Sequence, residues 1–135
     1  MSLESRHLSA RIGRPPEEVY AYASEPANVP RWAPGLGNSV EQVDGHWFVD
    51  TPGGRVRLAF APRNDFGVLD HYVTLGSGEV IYIPMRVIAD ESGSEVLFTL
   101  RRGRDMTDAE FKADTDAVLA DLARLKQILE ASAVR

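Results

Sequence analysis

The sequence predicts an α+β fold: a curved antiparallel sheet of about six or seven strands wrapped around one long C-terminal α-helix, with two short helices after the first strand. Three observations carry this reading. Apolar and polar residues alternate with period two from about Trp47 to Arg102, broken only by turn-forming residues. Those turns are short, and short turns join antiparallel neighbours, because parallel strands need long crossovers. The last quarter of the chain then changes to helical spacing. Phe111, Thr115, Val118, Leu122, Leu125 and Leu129 recur at steps of four and three, which makes one stripe on a helix.

The elements follow in order. His7 to Ile12 places Leu8, Ala10 and Ile12 on one face of a strand. Pro15-Pro16-Glu17-Glu18 opens a helix, since proline is tolerated in a first turn and acids suit the positive helix end. Val19, Tyr20, Tyr22 and Ala23 continue it to Pro26. Asn28 is expected to cap a very short second helix carrying Val29 and Trp32 and ending at Pro34-Gly35. Trp47, Val49 and Thr51 then face Val56, Leu58 and Phe60 about the turn Pro52-Gly53-Gly54-Arg55. The expected register sets Thr51 opposite Val56 and Val49 opposite Leu58, with Trp47 and Phe60 inside and Arg55 and Arg57 outside. Two more hairpins turn at Gly76-Ser77-Gly78 and at Asp90-Glu91-Ser92-Gly93. Thr107-Asp108-Ala109-Glu110 fits a capping box for a helix from Thr107 to about Ala131, roughly 36 Å long at ~1.5 Å per residue. On its wetter sides Asp108 is spaced to pair with Lys112, and Asp121 with Arg124.

Composition narrows the function. A chain of 135 residues fits one domain, 1–135, and 44% hydrophobic with 26% charged residues is ordinary for a globular protein. The net charge of −5 speaks against nucleic acid, which rewards a basic surface. The absence of cysteine excludes disulfides, thiolate metal sites and a thiol nucleophile. The beginning of the sequence lacks the apolar core of a secretory signal, and no apolar run reaches the roughly 18 residues of a membrane span, so a cytoplasmic location is expected. His7, His46 and His71 are dispersed, Gly35-Leu36-Gly37-Asn38 lacks the context of a phosphate loop, and no serine sits in a nucleophile elbow. Neither a metal nor a cofactor is expected.

The segment Ile12-Gly13-Arg14-Pro15-Pro16-Glu17-Glu18-Val19-Tyr20-Ala21-Tyr22-Ala23-Ser24-Glu25-Pro26, running on to Pro30-Arg31-Trp32, resembles the opening of the START-like (SRPBCC) helix-grip superfamily. That superfamily includes polyketide cyclase/dehydrase-like and birch-pollen-allergen-type proteins, and the likeness extends over essentially the whole chain. The resemblance implies a cavity between sheet and long helix that takes an apolar or aromatic small molecule. Function does not follow from the fold, because enzymes, carriers, receptors and co-chaperone-like modules share it.

Two sets of residues compete for the inner face of the last strands. Ordinary hairpin registers put Val68, Asp70, Tyr72, Thr74, Val80, Tyr82, Pro84, Arg86, Ile88, Val96, Phe98 and Leu100 together. The other face then carries Leu69, His71, Val73, Leu75, Ile81, Ile83, Met85, Val87, Leu97 and Thr99; a one-residue slip exchanges them. Hydrophobicity favours the second set. The resemblance favours the first, since it turns the bulky residues of the final strand, Val96 and Phe98, toward the helix. On that reading Tyr72, Tyr82 and Phe98 line the cavity with Asp70 and Arg86 as polar anchors. Trp32 would close one end and Trp47 line a side, unless both are plain core residues, and Val118 and Leu122 reach in from the helix. The aliphatic second set would then lie outward and favour a homodimer. On the alternative, His71 and Thr99 are the cavity's polar groups.

Asp70, His71 and Arg86 are the catalytic candidates, because strand interiors seldom carry charge without a reason. Arg86 could hold an enolate or carboxylate oxygen while Asp70 or His71 moves a proton. The plain alternative pairs Asp70 with Arg86 across adjacent strands and makes His71 a satisfied structural residue. Asp70 and His71 are neighbours, so a regular strand points them to opposite faces. Tyr72 and Tyr82 serve equally as ligand contacts or as sheet-forming cover, and Arg101-Arg102-Gly103-Arg104 reads as a solvated strand end. The leading expectation is a module binding a small hydrophobic or aromatic metabolite. A polyketide cyclase, dehydratase or isomerase using the same cavity is the alternative, and a co-chaperone-like interaction module the third. Whether the chain is an enzyme stays open at this point.

Overall fold

The computed structural model describes residues 4–34 and 39–131. Readings placed on Met1 to Leu3 and on Gly35-Leu36-Gly37-Asn38 lie outside the described residues. Strand β1 (Ser5–Ile12) leads into helix α1 (Pro16–Ala23), a 3-10 turn at Pro26–Asn28 and helix α2 (Val29–Trp32). Seven strands follow: β2 (Ser39–Val43), β3 (His46–Thr51), β4 (Gly54–Phe60), β5 (His71–Thr74), β6 (Val80–Ile83), β7 (Met85–Asp90) and β8 (Gly93–Arg101). Helix α3 (Asp108–Ala131) ends the described chain. The fold is α+β, and no described helix is long and apolar enough to cross a membrane.

All pairing is antiparallel, in a three-stranded sheet ordered β1-β8-β7 and a five-stranded sheet ordered β2-β3-β4-β5-β6. Only Pro84 separates β6 from β7. Val68 lies opposite Arg86 in the same register that sets His71 opposite Ile83, so β6 and β7 follow one path along the segment 67–74. Two backbone bonds extend that path: Leu69 N donates to Met85 O at 2.9 Å, and Val87 N to Gly67 O at 2.9 Å. Proline has no N–H for a ladder, and the strand breaks there. The eight strands, against the expected six or seven, come from this break and from β2, which the sequence pattern did not mark as a strand. The break also parts the sheets. Thr99 N still reaches Pro84 O at 3.0 Å. Beyond that point β8 pairs only with β1, as Leu100 opposite Arg6 and Arg101 opposite Ser5, and β6 pairs only with β5.

Two registers differ from expectation. In the β3–β4 hairpin the loop is Pro52-Gly53, so Thr51 faces Gly54, Val49 faces Val56 and Trp47 faces Leu58. Gly54 has φ of 121°, a conformation glycine adopts without a Cβ clash. The shift is two residues, which preserves the faces: Val49, Val56 and Leu58 are buried while Arg55 and Arg57 are exposed. In the β7–β8 hairpin the loop is Glu91-Ser92, and the shift is an odd number of residues. Val87 faces Val96 and Met85 faces Phe98. A Cβ on Gly93 would stand 2.4 Å from Ile12 O, so only glycine lets β8 start against the end of β1.

The odd shift mixes the two expected sets. Leu69, His71, Val73, Met85 and Val87 of the second set are buried, together with Val96 of the first, and Phe98 packs against them. Tyr72, Tyr82 and Ile88 are exposed at 47%, 39% and 44%, and Arg86 is exposed beside them, so this quartet lies on the outer side. The expectation that Tyr72 and Arg86 turn inward is corrected by the register.

Helix α3 begins with the expected capping box: Glu110 N donates to Thr107 Oγ1 at 3.1 Å, and Thr107 N to Glu110 Oε1 at 2.9 Å. Phe111, Thr115, Leu122, Leu125 and Leu129 are its buried stripe. Both ends are fixed to β1. Arg6 Nη1 donates to Thr115 Oγ1 at 3.2 Å and its guanidinium lies 4.4 Å from the Phe111 ring centre. At the far end Gly13 N donates to Glu130 Oε2 at 2.8 Å, and Lys126 Nζ to Arg11 O at 2.9 Å. The surface ion pairs differ from expectation: Lys112 pairs with Asp116, and Asp108 with Arg102 at 2.7 Å. Asn28 makes no side-chain cap; its Nδ2 donates to Tyr22 O at 3.1 Å instead.

Candidate functional site

Where β6 and the end of β8 separate, a cavity of about 530 Å³ opens between the sheet, α2 and the middle of α3. Its walls are mostly apolar: Ile81 and Ile83 from β6, Phe98 and Leu100 from β8, and Ala117, Val118 and Leu122 from α3. Trp32 borders it from α2, His71 from β5 and Asp121 from α3. Of the expected ligand contacts, Trp32, Tyr82, Phe98, Val118 and Leu122 border this space. Trp47, Asp70, Tyr72 and Arg86 do not. Trp47 stands instead at a separate hollow of about 300 Å³ with Pro26 and Phe60. A larger hollow of about 620 Å³ lies between the start of α1, residues 63–67 and β7, outside the sheet–helix interior. It is ringed by Glu17, Arg63 and Asp65, and its wall mixes polar with apolar groups in comparable measure, where the cavity under α3 is mostly apolar.

Asp70, Tyr82 and Arg86 form a cluster on the outer side of the sheet, and Tyr82, on the edge strand β6, also touches the rim of the cavity. Asp70 is only 7% exposed, and every bond it makes is inside the protein. Its Oδ1 accepts from Met85 N at 2.9 Å and from Arg86 Nη1, and its Oδ2 accepts from the Tyr82 hydroxyl at 2.5 Å. The register sets Asp70 opposite Pro84, so the carboxylate takes up the first N–H after the proline. A buried carboxylate needs such charge-assisted donors. The bond to Asp70 also raises the Tyr82 phenol above its ordinary value, burial adding to the effect. Tyr72 stacks on Tyr82 with ring centres 5.1 Å apart.

His71, the next residue, points the opposite way and is 5% exposed. Its Nδ1 lies 3.0 Å from Leu69 O, and a carbonyl only accepts, so Nδ1 carries the proton and Nε2 keeps a lone pair. The ring sits 5.0 Å from Phe60 and 6.3 Å from Phe98. Burial lowers its pKa against the smaller opposing effects of the Leu69 bond and the Asp70 charge, which keeps it neutral at neutral pH. Nε2 has no hydrogen bond to another described residue. Trp32 is buried at 4% and its indole N–H meets no acceptor among the described residues.

Asp121 is the group that sequence reasoning placed wrongly. Its spacing to Arg124 marked it as a wet surface pair, but it is half-buried in the cavity wall. Burial pushes its carboxyl up to about 6, with the charge of Arg124 opposing. The signal was present in the sequence. Asp114, Ala117, Val118 and Asp121 form a second stripe beside the apolar one, and all four face the cavity. Among the described residues no group of three His, Asp or Glu side chains is arranged to hold a metal ion.

No family model matches the chain, and no curated protein does. Solved structures do. The Aha1 dimer of Colwellia psychrerythraea superposes with a TM-score of 0.73 at 17% identity, over 95% of this chain and 97% of that one. Ara h 8.0201 gives 0.68 at 13% identity over 96% and 99%. DynU16, from the dynemicin biosynthetic locus, gives 0.71 at 15% identity, and the match spans 95% of this chain but 48% of DynU16. At such identities the likeness speaks for architecture alone. A long helix clamped across a bent antiparallel sheet, shared with these structures over nearly its full length, is the helix-grip fold, and this chain has that fold.

Proposed function

We propose that the chain binds a small hydrophobic or aromatic metabolite in the cavity between β6, β8 and α3. The carrying observation is the cavity itself: about 530 Å³, apolar on most of its wall, with a few polar groups. Support comes also from DynU16, a structural neighbour from a biosynthetic locus. The test is thermal stabilisation by aromatic ligands, read together with native mass spectrometry for a co-purified small molecule. Val118→Trp, which fills the space between α3 and the sheet, should remove ligand stabilisation while the protein stays folded. Ligand binding that survives this substitution unchanged would place the ligand elsewhere.

A second reading, a proton-transfer enzyme, is favoured by one observation: neutral His71 bordering the cavity with Nε2 unbonded. It predicts turnover that His71→Gln abolishes while binding persists. We also infer a homodimer, supported by the exposed Tyr72, Tyr82 and Ile88 and by the dimeric Aha1 neighbour. Sizing chromatography at micromolar concentration tests it.

A further inference from the structure

We propose that the ligand of this cavity carries a cationic, donor-rich nitrogen head on its apolar body, an arylalkylamine or similar amine, seated against Asp121. The proposal rests on the cavity reading and deepens it. Two walls each offer an acceptor that the protein leaves unused. Asp121 borders the cavity from α3 with no hydrogen-bond partner among the described residues and the charge of Arg124 beside it. From the sheet side, His71 Nε2 keeps a lone pair, because Nδ1–H is held by Leu69 O. His71 is only 5% exposed, and its Nε2 has no hydrogen bond from another described residue.

The charges around the opening agree. Glu79, Asp114 and Asp121 border the cavity, as do Arg101 and Arg102. Arg102 is already engaged by Met106 O, Asp108 and Glu4, which leaves Arg101 as the cation opposed to three acids. A carboxylate ligand would be an acceptor facing acceptors, repelled by Asp121. A phenol has one proton to give. An ammonium has three, together with the charge that a half-buried carboxylate lacks. The Trp32 N–H, among the described residues the one buried side-chain donor without an acceptor, is left for the body of the ligand rather than its head.

Three indoles of matched body separate the alternatives: tryptamine, neutral 3-methylindole and indole-3-acetate, each titrated at pH 7.5 by calorimetry with thermal shift alongside. Tryptamine is expected to bind on the order of tenfold tighter than 3-methylindole, with indole-3-acetate weakest. Asp121→Asn should bring tryptamine down to the level of 3-methylindole and leave 3-methylindole unchanged. Glu91→Asn, in the remote β7–β8 turn, should leave the preference intact. Equal binding of tryptamine and 3-methylindole to the unmodified protein, abolished by Val118→Trp, overturns the amine assignment and keeps the cavity reading. No binding of any of the three overturns both. The comparison in unmodified protein decides the matter even where a variant folds poorly.

Discussion

Asp70 and His71 are adjacent in sequence, both are buried, and the sheet sends them to opposite sides with opposite consequences. On the outer side, Asp70 has a donor for each oxygen: Tyr82 on one, Met85 N and Arg86 on the other. On the inner side, His71, Trp32 and Asp121 border a hollow and leave acceptors and a donor unmatched. Polar groups that a fold needs are matched within the chain, because an unpaired buried group costs as much as the bond would bring. Groups left unmatched around a cavity are then the ones that await something from outside. The charged cluster that looked most chemical in the sequence is the structural one.

The largest test of this contrast is Asp70→Asn. It keeps the shape but removes the charge that holds Arg86, and it sets an NH₂ among donors. We expect a loss of about 3 kcal/mol of stability in denaturant unfolding. Tyr82→Phe, which removes one bond to the same carboxylate, should cost about 1 kcal/mol. A loss from Asp70→Asn no larger than that from Tyr82→Phe would mean that the cluster does not hold the sheet junction.

Much of this architecture was legible in the sequence. The stripe from Phe111 to Leu129 and the box Thr107–Glu110 specify α3 directly, because helical spacing and capping are local. The faces of β3 and β4 were also legible, since an error of two residues in register leaves every side chain on its own side. The inner face of β7 was not. It turns on whether the loop is Glu91-Ser92 or one residue different, and the hydrophobic pattern fits both. The identity of the site residues followed the same parity. Phe98 and Leu122 border the cavity as expected because β8 and α3 turn those faces inward, Tyr72 and Arg86 face outward because β5 and β7 were read the wrong way round, and Asp121 was hidden by its plausible partner Arg124.

The inner groups predict a pH signature in which two residues oppose each other. His71 has its folded pKa depressed below 6.5. The unfolded chain therefore binds the extra proton, and this contribution to stability, whole above pH 6.5, is lost as the pH falls below it, at a slope of at most about 1.4 kcal/mol per pH unit. Asp121 has its folded pKa raised from 3.8 to about 6, so its contribution is whole below pH 3.8 and lost as the pH rises to about 6. Between about pH 4 and 6 the two slopes have opposite signs. His71→Gln should expose the Asp121 slope, with stability falling as pH rises across that window. Asp121→Asn should expose the His71 slope, with stability rising. At pH 7 Asp121→Asn should also gain about 1 kcal/mol, a figure reduced for the half-exposure of the carboxyl. Two variants with the same sign of slope would show that one of these groups is not buried as described.

The smallest effect expected is at Trp32. Its indole N–H is buried without an acceptor among the described residues, and such a group destabilises the empty protein while a ligand atom could relieve it. Trp32→Phe removes the N–H and also leaves a small gap, so the two consequences nearly offset and the stability of the empty protein should change by less than about 1 kcal/mol. With a bound ligand the balance shifts. If the N–H donates to the ligand, the wild-type protein gains more from saturation than Trp32→Phe does, and the difference appears as a smaller ligand-induced rise in Tm for the variant. Equal rises in the two proteins would assign the N–H to internal strain and leave His71 and Asp121 as the polar contacts of the cavity.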